Sequence, residues 1–206
     1  MRPLKIIIII ILATVCLSLT TAGYHRVKFV YDGDTILLEN KSKVRYLGIN
    51  TPEIDHKGRK NEFMAHVARN SNLELVKGAR VSLEFDKEKK DRYGRLLAYV
   101  FLENGNMVNA LLVRKGMAHV LLNSQGLKYE GLLLDCQRKA MKEKLGIWSR
   151  HFKGREKFYL GNRNSYRFHR PGCRFAKKIS RKNGVRFKSR YDAFWEGYSP
   201  CKRCMP

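Results

Sequence analysis

The sequence predicts an α+β fold, in which a small closed barrel of five strands with about three helices precedes a small metal-stabilised C-terminal domain. Alternating apolar residues predict the strands, and apolar side chains at helical spacing predict the helices. A change in composition after Trp148-Ser149 separates the two parts. We expect the first domain at residues 24–149 and the second at residues 157–206.

Alternation and one turn predict the first three strands. Val27, Phe29 and Tyr31 occupy alternate positions in a basic segment, which is typical of a half-buried strand. Two further apolar runs, at residues 36–38 and 44–49, flank a polar turn. This arrangement predicts a hairpin.

The later segments predict one inserted helix, two more strands and closing helices. Residues 63–68 carry apolar side chains at helical spacing, and residues 81–85 alternate again. An apolar run at residues 96–101 ends at the turn pair Asn104-Gly105. Residues 132–145 carry a helical apolar stripe. Five strands with one helix inserted and more helices after them predict a barrel of the OB type.

The chain is strongly basic, with 42 Lys and Arg against 18 Asp and Glu and a formal net charge of +24. Such a charge attracts nucleic acid or an anionic membrane surface. The alternative is that the charge only keeps the protein soluble. Aromatic residues between the charges, together with an acidic cluster, favour nucleic acid as the partner.

The N-terminal residues 1–22 have the pattern of an export signal. A basic start precedes an apolar run at residues 6–15, and Thr20-Thr21-Ala22 forms a cleavage site. The run is shorter than the roughly 20 residues that a spanning helix needs. We therefore expect a secreted, periplasmic or cell-surface anchored protein. An uncleaved membrane anchor and a lipid anchor at Cys16 are the alternatives.

Two carboxylates lie where the first strand gives way to the second. Asp32 and Asp34 flank Gly33, which we expect to bend the backbone so that both carboxylates lie near one spot. Carboxylate oxygens are the ligands that hard cations prefer. An ordinary turn is the alternative, because Asp-Gly is a common turn pair.

Two arginines lie where a phosphate can be bound. Arg45 interrupts an apolar strand and so needs a partner or a ligand; an outward-facing position and a structural ion pair are the alternatives. Pro52 ends that strand and exposes Glu53. Arg95 opens a later strand. Two arginines at strand ends can bind the oxygens of one phosphate bidentately.

Together these motifs resemble the staphylococcal (micrococcal) nuclease family. The resemblance implies an OB barrel with three helices and a calcium-dependent phosphodiesterase that is secreted or anchored. It also implies cleavage of DNA and RNA by water, leaving a 5′-hydroxyl and a 3′-phosphate. The motifs that carry it are Asp32-Gly33-Asp34-Thr35, Arg45, Thr51-Pro52-Glu53, Asp91-Arg92-Tyr93-Gly94-Arg95, Met107-Val108-Asn109 and the segment 142–149.

The resemblance assigns calcium ligands. Asp34 matches the main calcium carboxylate, and Thr51 matches a ligand that uses its backbone carbonyl. Asn50 stands where the family often has an Asp, and it keeps an oxygen ligand but lacks the charge. Because ligand charge tunes calcium affinity, a weaker site is expected.

The resemblance also assigns catalytic and substrate-binding residues. Arg45 and Arg95 match the phosphate-binding arginines. Glu53 matches the carboxylate that orients or deprotonates the attacking water. Arg92 and Tyr93 align with residues that line the nucleotide pocket.

The segment after residue 150 has a composition of its own. Residues 151–206 hold sixteen Lys and Arg against three Asp and Glu, with many aromatics among them. Basic residues with interleaved aromatics suit backbone contact and base stacking on a nucleic acid. We expect at least half of these aromatics to form the segment's own core instead.

Four residues of this segment predict a zinc site. His169 and Cys173 form one close pair and Cys201 and Cys204 another. This spacing is typical of tetrahedral zinc, and a metal stabilises so small a domain. A disulfide between Cys201 and Cys204 is the alternative.

The same segment resembles the metal-binding domain of Ada-type DNA repair proteins. The resemblance implies a zinc-stabilised module that contacts nucleic acid. His169 stands where that family has the Cys that accepts a methyl group, so methyl-acceptor repair is not expected. The whole chain is thus interpreted as a monomeric calcium-dependent nuclease with a structural zinc module. The alternative is a catalytically weak protein that captures nucleic acid.

Overall fold

The computed structural model of the chain describes residues 23–55, 60–150 and 156–204. The predicted export signal, residues 1–22, lies outside this described part. Within the described residues, no helix combines the length and the apolar character needed to cross a membrane.

Five strands of the first part close into a barrel, as the sequence predicts. The strands in chain order are β1 (His25–Asp32), β2 (Thr35–Leu38), β3 (Lys43–Tyr46), β4 (Ile49–Asn50), β5 (Arg80–Lys90), β6 (Leu96–Leu102) and β7 (His119–Val120). The barrel order is β1-β2-β3-β6-β5, in which only β3 and β6 pair in parallel. Strands β4 and β7 form a separate antiparallel pair.

In the part of the chain that the structure describes, three α-helices pack on this barrel, which confirms their predicted number. They are α1 (Ala65–Val76), α2 (Val108–Arg114) and α3 (Glu130–Lys142), and a short 3-10 helix follows at Gly146–Ser149. The buried Asn109 holds α2 on the barrel, because its side chain accepts from the Val100 amide and donates to the Leu47 carbonyl, both at 2.9 Å. Asn72 of α1 is buried as well, accepts from the Tyr46 hydroxyl and donates to the Asp32 carbonyl.

The C-terminal domain, described for residues 156–204, is a small sheet with one short α-helix and two 3-10 helices, at Ala176–Lys178 and Arg181–Asn183. Its elements are β8 (Tyr159–Asn162), β9 (Arg167–His169), β10 (Gly184–Phe187), α4 (Arg190–Trp195) and β11 (Ser199–Pro200). The strand order is β10-β8-β9-β11. A capping box between Ser189 and Asp192 begins α4.

The core of the C-terminal domain is aromatic and extends into the first part of the chain. Half of its aromatics are buried, as expected: Tyr159, Phe168, Phe187, Phe194 and Tyr198. They form one cluster with Ala140 and Met141 of α3 and with Trp148 of the 3-10 helix that follows it. The two parts therefore share buried apolar surface.

Polar contacts at the same interface are specific. The buried Gln137 of α3 accepts from the Val120 amide at 2.7 Å and donates to the Phe194 carbonyl at 2.6 Å.

Gly197 lies at the same interface, where its backbone approaches the first domain closely. It has a φ of +78°, and a Cβ there would lie 2.9 Å from side-chain atoms of Leu122 and Leu134. Only a glycine allows this backbone to approach so closely.

Candidate active site and metal centre

The carboxylate of Asp34 is the centre of the candidate active site. It is only 4% exposed. Its Oδ2 accepts from the Thr51 amide at 2.8 Å and from the Thr51 hydroxyl at 2.9 Å, and it lies 3.0 Å from Nη1 of Arg45. The turn between β1 and β2 thus meets the end of β4 and the middle of β3.

Gly33 provides space within the turn between β1 and β2. Its backbone does not adopt a left-handed conformation in the structure. A Cβ at Gly33 would lie 2.7 Å from the Cβ, Cγ2 and Oγ1 atoms of Thr51. The absence of a side chain therefore lets Thr51 reach Asp34. The expected bend is present, because Gly33 and Asp34 form the turn between β1 and β2, and the structure adds that Gly33 leaves room for Thr51.

Asp32 contributes to the site more than its sequence pattern indicates. Its Oδ1 accepts from the Asp34 amide at 2.9 Å. Burial raises the pKa of Asp32 to about 6, and the negative charge of Asp34 acts in the same direction. Two crowded carboxylates with oxygen-donor neighbours suit a hard cation, so these residues fit calcium.

The other predicted calcium ligands are hydrogen-bonded to each other. Asn50 accepts from Nη2 of Arg45 and donates to the Thr51 carbonyl, both at 3.1 Å. Of the alternatives for Arg45, the structure shows the ion pair with Asp34. Asp34, Arg45, Asn50 and Thr51 are thus together in space.

Glu53 lies at the exposed rim of this group. Its amide donates to Oε2 of Glu62 at 2.9 Å, and the Glu62 amide donates to the Glu53 carbonyl at 3.1 Å. Its own carboxylate Oε1 lies 3.2 Å from Nζ of Lys202, in the C-terminal domain. Glu53 is therefore accessible to water and to a substrate.

Arg95 lies directly before β6, the strand that pairs with the Arg45 strand β3. Its Nε donates to Oδ2 of Asp91 at 2.7 Å. In the parallel β3–β6 pair Arg45 is the register partner of Leu97, two residues after Arg95. Among the described contacts none joins Arg95 to the Asp34 carboxylate, so the two predicted arginines are neighbours by strand register only.

The predicted nucleotide-pocket residues form an exposed pair. Tyr93 is 68% exposed. The Arg92 guanidinium lies 4.8 Å from the Tyr93 ring centre, and its Nη2 donates to the Tyr93 hydroxyl at 2.6 Å. An open aromatic face beside a cation can stack on a base.

His119 is a buried residue of the site that the sequence reasoning missed. Strand pairing sets it opposite Asn50, and its ring lies 5.5 Å from the Phe194 ring of the C-terminal domain. Burial lowers its pKa to about 4, and the charges of Arg167 and Arg45 add to this effect. It is therefore neutral near pH 7. A lone His in no motif gives no sequence signal for this position.

The four predicted metal ligands of the C-terminal domain converge. The ligand atoms of His169, Cys173, Cys201 and Cys204 all lie within 4.8 Å of one another. None of these cysteines is in a disulfide in the structure. The alternative Cys201–Cys204 bridge is thus not what the structure shows.

The chemistry of this cluster fits a soft metal ion. Burial lowers the pKa of His169, so its imidazole is neutral, the form that binds a metal. Burial raises the pKa of Cys204 to about 12, and the neighbouring thiols add to this. A cation among these atoms would favour the thiolate form. The four residues can hold zinc in a tetrahedral site.

Comparisons with known proteins agree with both sites. Residues 43–150 match the family described as "Staphylococcal nuclease homologue". Residues 147–206 match the "Metal binding domain of Ada".

Individual relatives point the same way. The chain is 37% identical to a thermonuclease of Staphylococcus intermedius over 129 residues, which are 61% of this chain and 76% of that protein. It is 34% identical to a thermonuclease of Staphylococcus hyicus over 128 residues, 61% of this chain and 75% of the relative. It is also 37% identical to Endonuclease YncB of Bacillus subtilis over 124 residues, 58% of each chain.

The hydrogen-bonded group around Asp34 belongs to the nuclease-like domain, which the family match at residues 43–150 identifies. The His169 cluster belongs to the second domain, which the match at residues 147–206 identifies. This chain belongs to the staphylococcal nuclease family and carries an Ada-like metal-binding domain after its nuclease domain.

Proposed function

We propose that this protein is a calcium-dependent phosphodiesterase that hydrolyses DNA and RNA and leaves 3′-phosphate products. The observation that carries the proposal is the meeting of Asp34, Arg45 and Thr51 in a nuclease-family domain. The closed five-stranded barrel supports an OB-type architecture for this domain.

The residues of the site divide the chemistry among them. Asp34, Thr51 and Asn50 would hold calcium, with Asp32 beside them. A bound calcium ion supplies Lewis-acid polarisation of a phosphoryl oxygen. Neutralisation of the Asp34 charge would release Arg45 from its ion pair.

Arg45 and Arg95 then donate to the non-bridging oxygens of the scissile phosphate. Charge builds on those oxygens in the transition state, and one such donor is commonly worth about 3 to 4 kcal/mol. Glu53 is exposed, and it orients the attacking water and accepts its proton.

The C-terminal domain supplies the second part of the proposal. We propose that His169, Cys173, Cys201 and Cys204 bind one structural zinc ion and that the domain raises affinity for nucleic acid. Metal analysis of the purified chain tests this point. One zinc per chain is expected, and a metal-free protein with a Cys201–Cys204 disulfide would contradict it.

A catalytically weak capture protein is the second candidate. One observation favours it: Arg45 pairs with Asp34 and Arg95 pairs with Asp91 instead of facing an open site. In such a protein the barrel binds nucleic acid without cleaving it.

Plasmid digestion separates the two candidates. The enzyme should cleave in millimolar calcium, stop with EDTA and resume with added calcium. The Glu53→Gln variant should lose turnover by orders of magnitude with an unchanged fold. Binding without cleavage by the parent protein would favour capture. Export, through residues 1–22, and a monomeric state belong to the same proposal and are tested by cell fractionation and by sedimentation.

A further inference from the structure

One ion pair joins the C-terminal domain to the rim of the candidate active site. Nζ of Lys202 lies 3.2 Å from Oε1 of Glu53, and the two residues are 149 positions apart in the chain. We propose that Lys202 is a substrate-binding residue of the nuclease, which contacts the nucleic-acid backbone next to the phosphate that is cleaved. The inference rests on the proposed function, since it takes Glu53 as the residue beside the attacked phosphate.

The fold determines where Lys202 lies. It stands between Cys201 and Cys204, two members of the four-residue cluster. The Cys201 amide donates to the Phe168 carbonyl at 2.9 Å, directly after β11 pairs with β9. The loop is thus held from both sides and presents the Lys202 side chain toward the barrel.

The contact between the two domains keeps this loop beside the barrel. Phe194 packs its ring 5.5 Å from His119 and accepts a hydrogen bond from Gln137. His119 in turn pairs with Asn50 of the candidate site. These contacts hold the C-terminal domain against the segment that leads from Asn50 to Glu53, the partner of Lys202.

A purely structural role does not account for the pair. The side chains of Lys202 and Glu53 are 72% and 52% exposed. Exposed pairs of this kind add little to stability. A lysine ammonium is a flexible point charge with three donors, so it can turn from the Glu53 carboxylate to a phosphate oxygen. That movement also frees Glu53 to accept a proton.

The composition around Lys202 fits a polyanion. Arg203 follows it and is exposed, and Arg170 lies in the same loop cluster, where its amide donates to Sγ of Cys204 at 3.4 Å. Two further cations thus belong to the segments that carry the His169 cluster, beside Lys202. A nucleic-acid strand bound at Glu53 would therefore continue toward these cations.

Binding measurements that do not need cleavage test the inference. In a Glu53→Gln background, Lys202→Ala should bind a single-stranded DNA of about eight nucleotides roughly fivefold more weakly. The slope of log affinity against log salt should become shallower by about 0.7 to 1. Lys202→Arg should keep the affinity.

The matched control is Lys182→Ala, which removes the same charge from an exposed position of the same domain. None of the described contacts joins Lys182 to the barrel. It should leave the affinity for the short oligonucleotide unchanged. Zinc content and thermal midpoint should be equal in both variants.

The affinities of the two variants, and the KM and turnover of the Lys202→Ala protein, decide whether the inference holds. Equal affinities of the Lys202→Ala and Lys182→Ala proteins would overturn it. In the active protein, a faster turnover at unchanged KM would also overturn it, because Lys202 would then only restrain Glu53. A raised KM with unchanged or higher kcat supports it. If the parent protein binds but does not cleave, the proposed function fails while the binding test still decides the role of Lys202.

Discussion

Asp34 organises the candidate site at the scale of single residues. One carboxylate oxygen contacts the Thr51 amide, the Thr51 hydroxyl and the Arg45 guanidinium. The Asn50 oxygen instead accepts from Arg45. A charged, buried carboxylate should hold a hard cation more strongly than this amide does.

Replacing the two residues should therefore have unequal effects. We expect Asp34→Ala to weaken calcium activation about a hundredfold, and Asn50→Ala about tenfold or less. A calcium titration of turnover measures both, and circular dichroism checks that each variant is folded. Equal losses would show that the amide shares the metal equally. Asn50→Asp should tighten calcium binding, because it adds a negative charge.

Gly33 gives a second prediction at this scale. Gly33→Ala places a Cβ within 2.7 Å of Thr51, so we expect a loss of about 1 to 3 kcal/mol in the free energy of unfolding. The matched control is Gly131→Ala, where a Cβ meets nothing within 4 Å. That change lies in the helix α3 and should be neutral or stabilising by up to about 1 kcal/mol. Urea unfolding of both variants measures the difference in their free energies of unfolding. Equal midpoints would show that a Cβ at position 33 does not crowd Thr51.

At the scale of elements, strand β5 is tied to its neighbours by one carboxylate. Oδ2 of Asp86 accepts from the Tyr99 hydroxyl of β6 and from the Lys128 amide just before α3, both at 2.9 Å. The hydrogen bond from the Lys128 amide is the main cause that holds the pKa of Asp86 below its usual value. The charged form is thus favoured in the folded state.

The stability that this carboxylate provides should depend on pH. Because the folded pKa is lowered, the contribution is present above the ordinary pKa of about 4 and is lost as pH falls through the lower folded value. We expect the urea midpoint of the parent to fall more between pH 5 and pH 2.5 than that of Asp86→Asn. Glu88→Gln, an exposed change in the same strand, should leave the parental pH dependence intact. Parallel curves for the parent and Asp86→Asn would refute the assignment.

The elements also show which parts of the site local patterns could predict. The strands, the inserted helix, the position of Arg45 within a strand and that of Arg95 just before one follow from alternation and turn residues. Strand register then explains why the two arginines are neighbours. Their actual partners, Asp34 and Asp91, depend on side-chain geometry that spacing does not describe.

At the scale of the whole molecule, the two domains are not independent. The aromatic core of the C-terminal domain includes Met141 and Trp148, which the nuclease-family match also covers. Truncation after Ser149 would therefore expose apolar surface on α3 and the 3-10 helix. The loss of this burial is costly, at roughly 25 cal/mol per Å².

We expect the chain that ends at Ser149 to retain its catalytic residues but to unfold at lower urea concentration than the full chain. Binding to DNA should also weaken and show a shallower salt dependence, because the C-terminal domain carries a net positive charge. Equilibrium unfolding and a salt titration of DNA affinity measure the two effects. The full chain with Lys182→Ala serves as the control. An unchanged unfolding midpoint after truncation would show that the interface adds no stability.

The sequence alone predicted the five barrel strands with one helix inserted among them, the nuclease motifs and the four metal ligands, because these depend on local periodicity, turn residues and short spacing. Only the tertiary structure decided that Gly33 makes room for Thr51, that the buried His119 lies opposite Asn50 and against Phe194, and that Lys202 reaches Glu53. Each of these is a contact between segments far apart in the chain. Such contacts arise from packing and strand register, and no local pattern of residues encodes them.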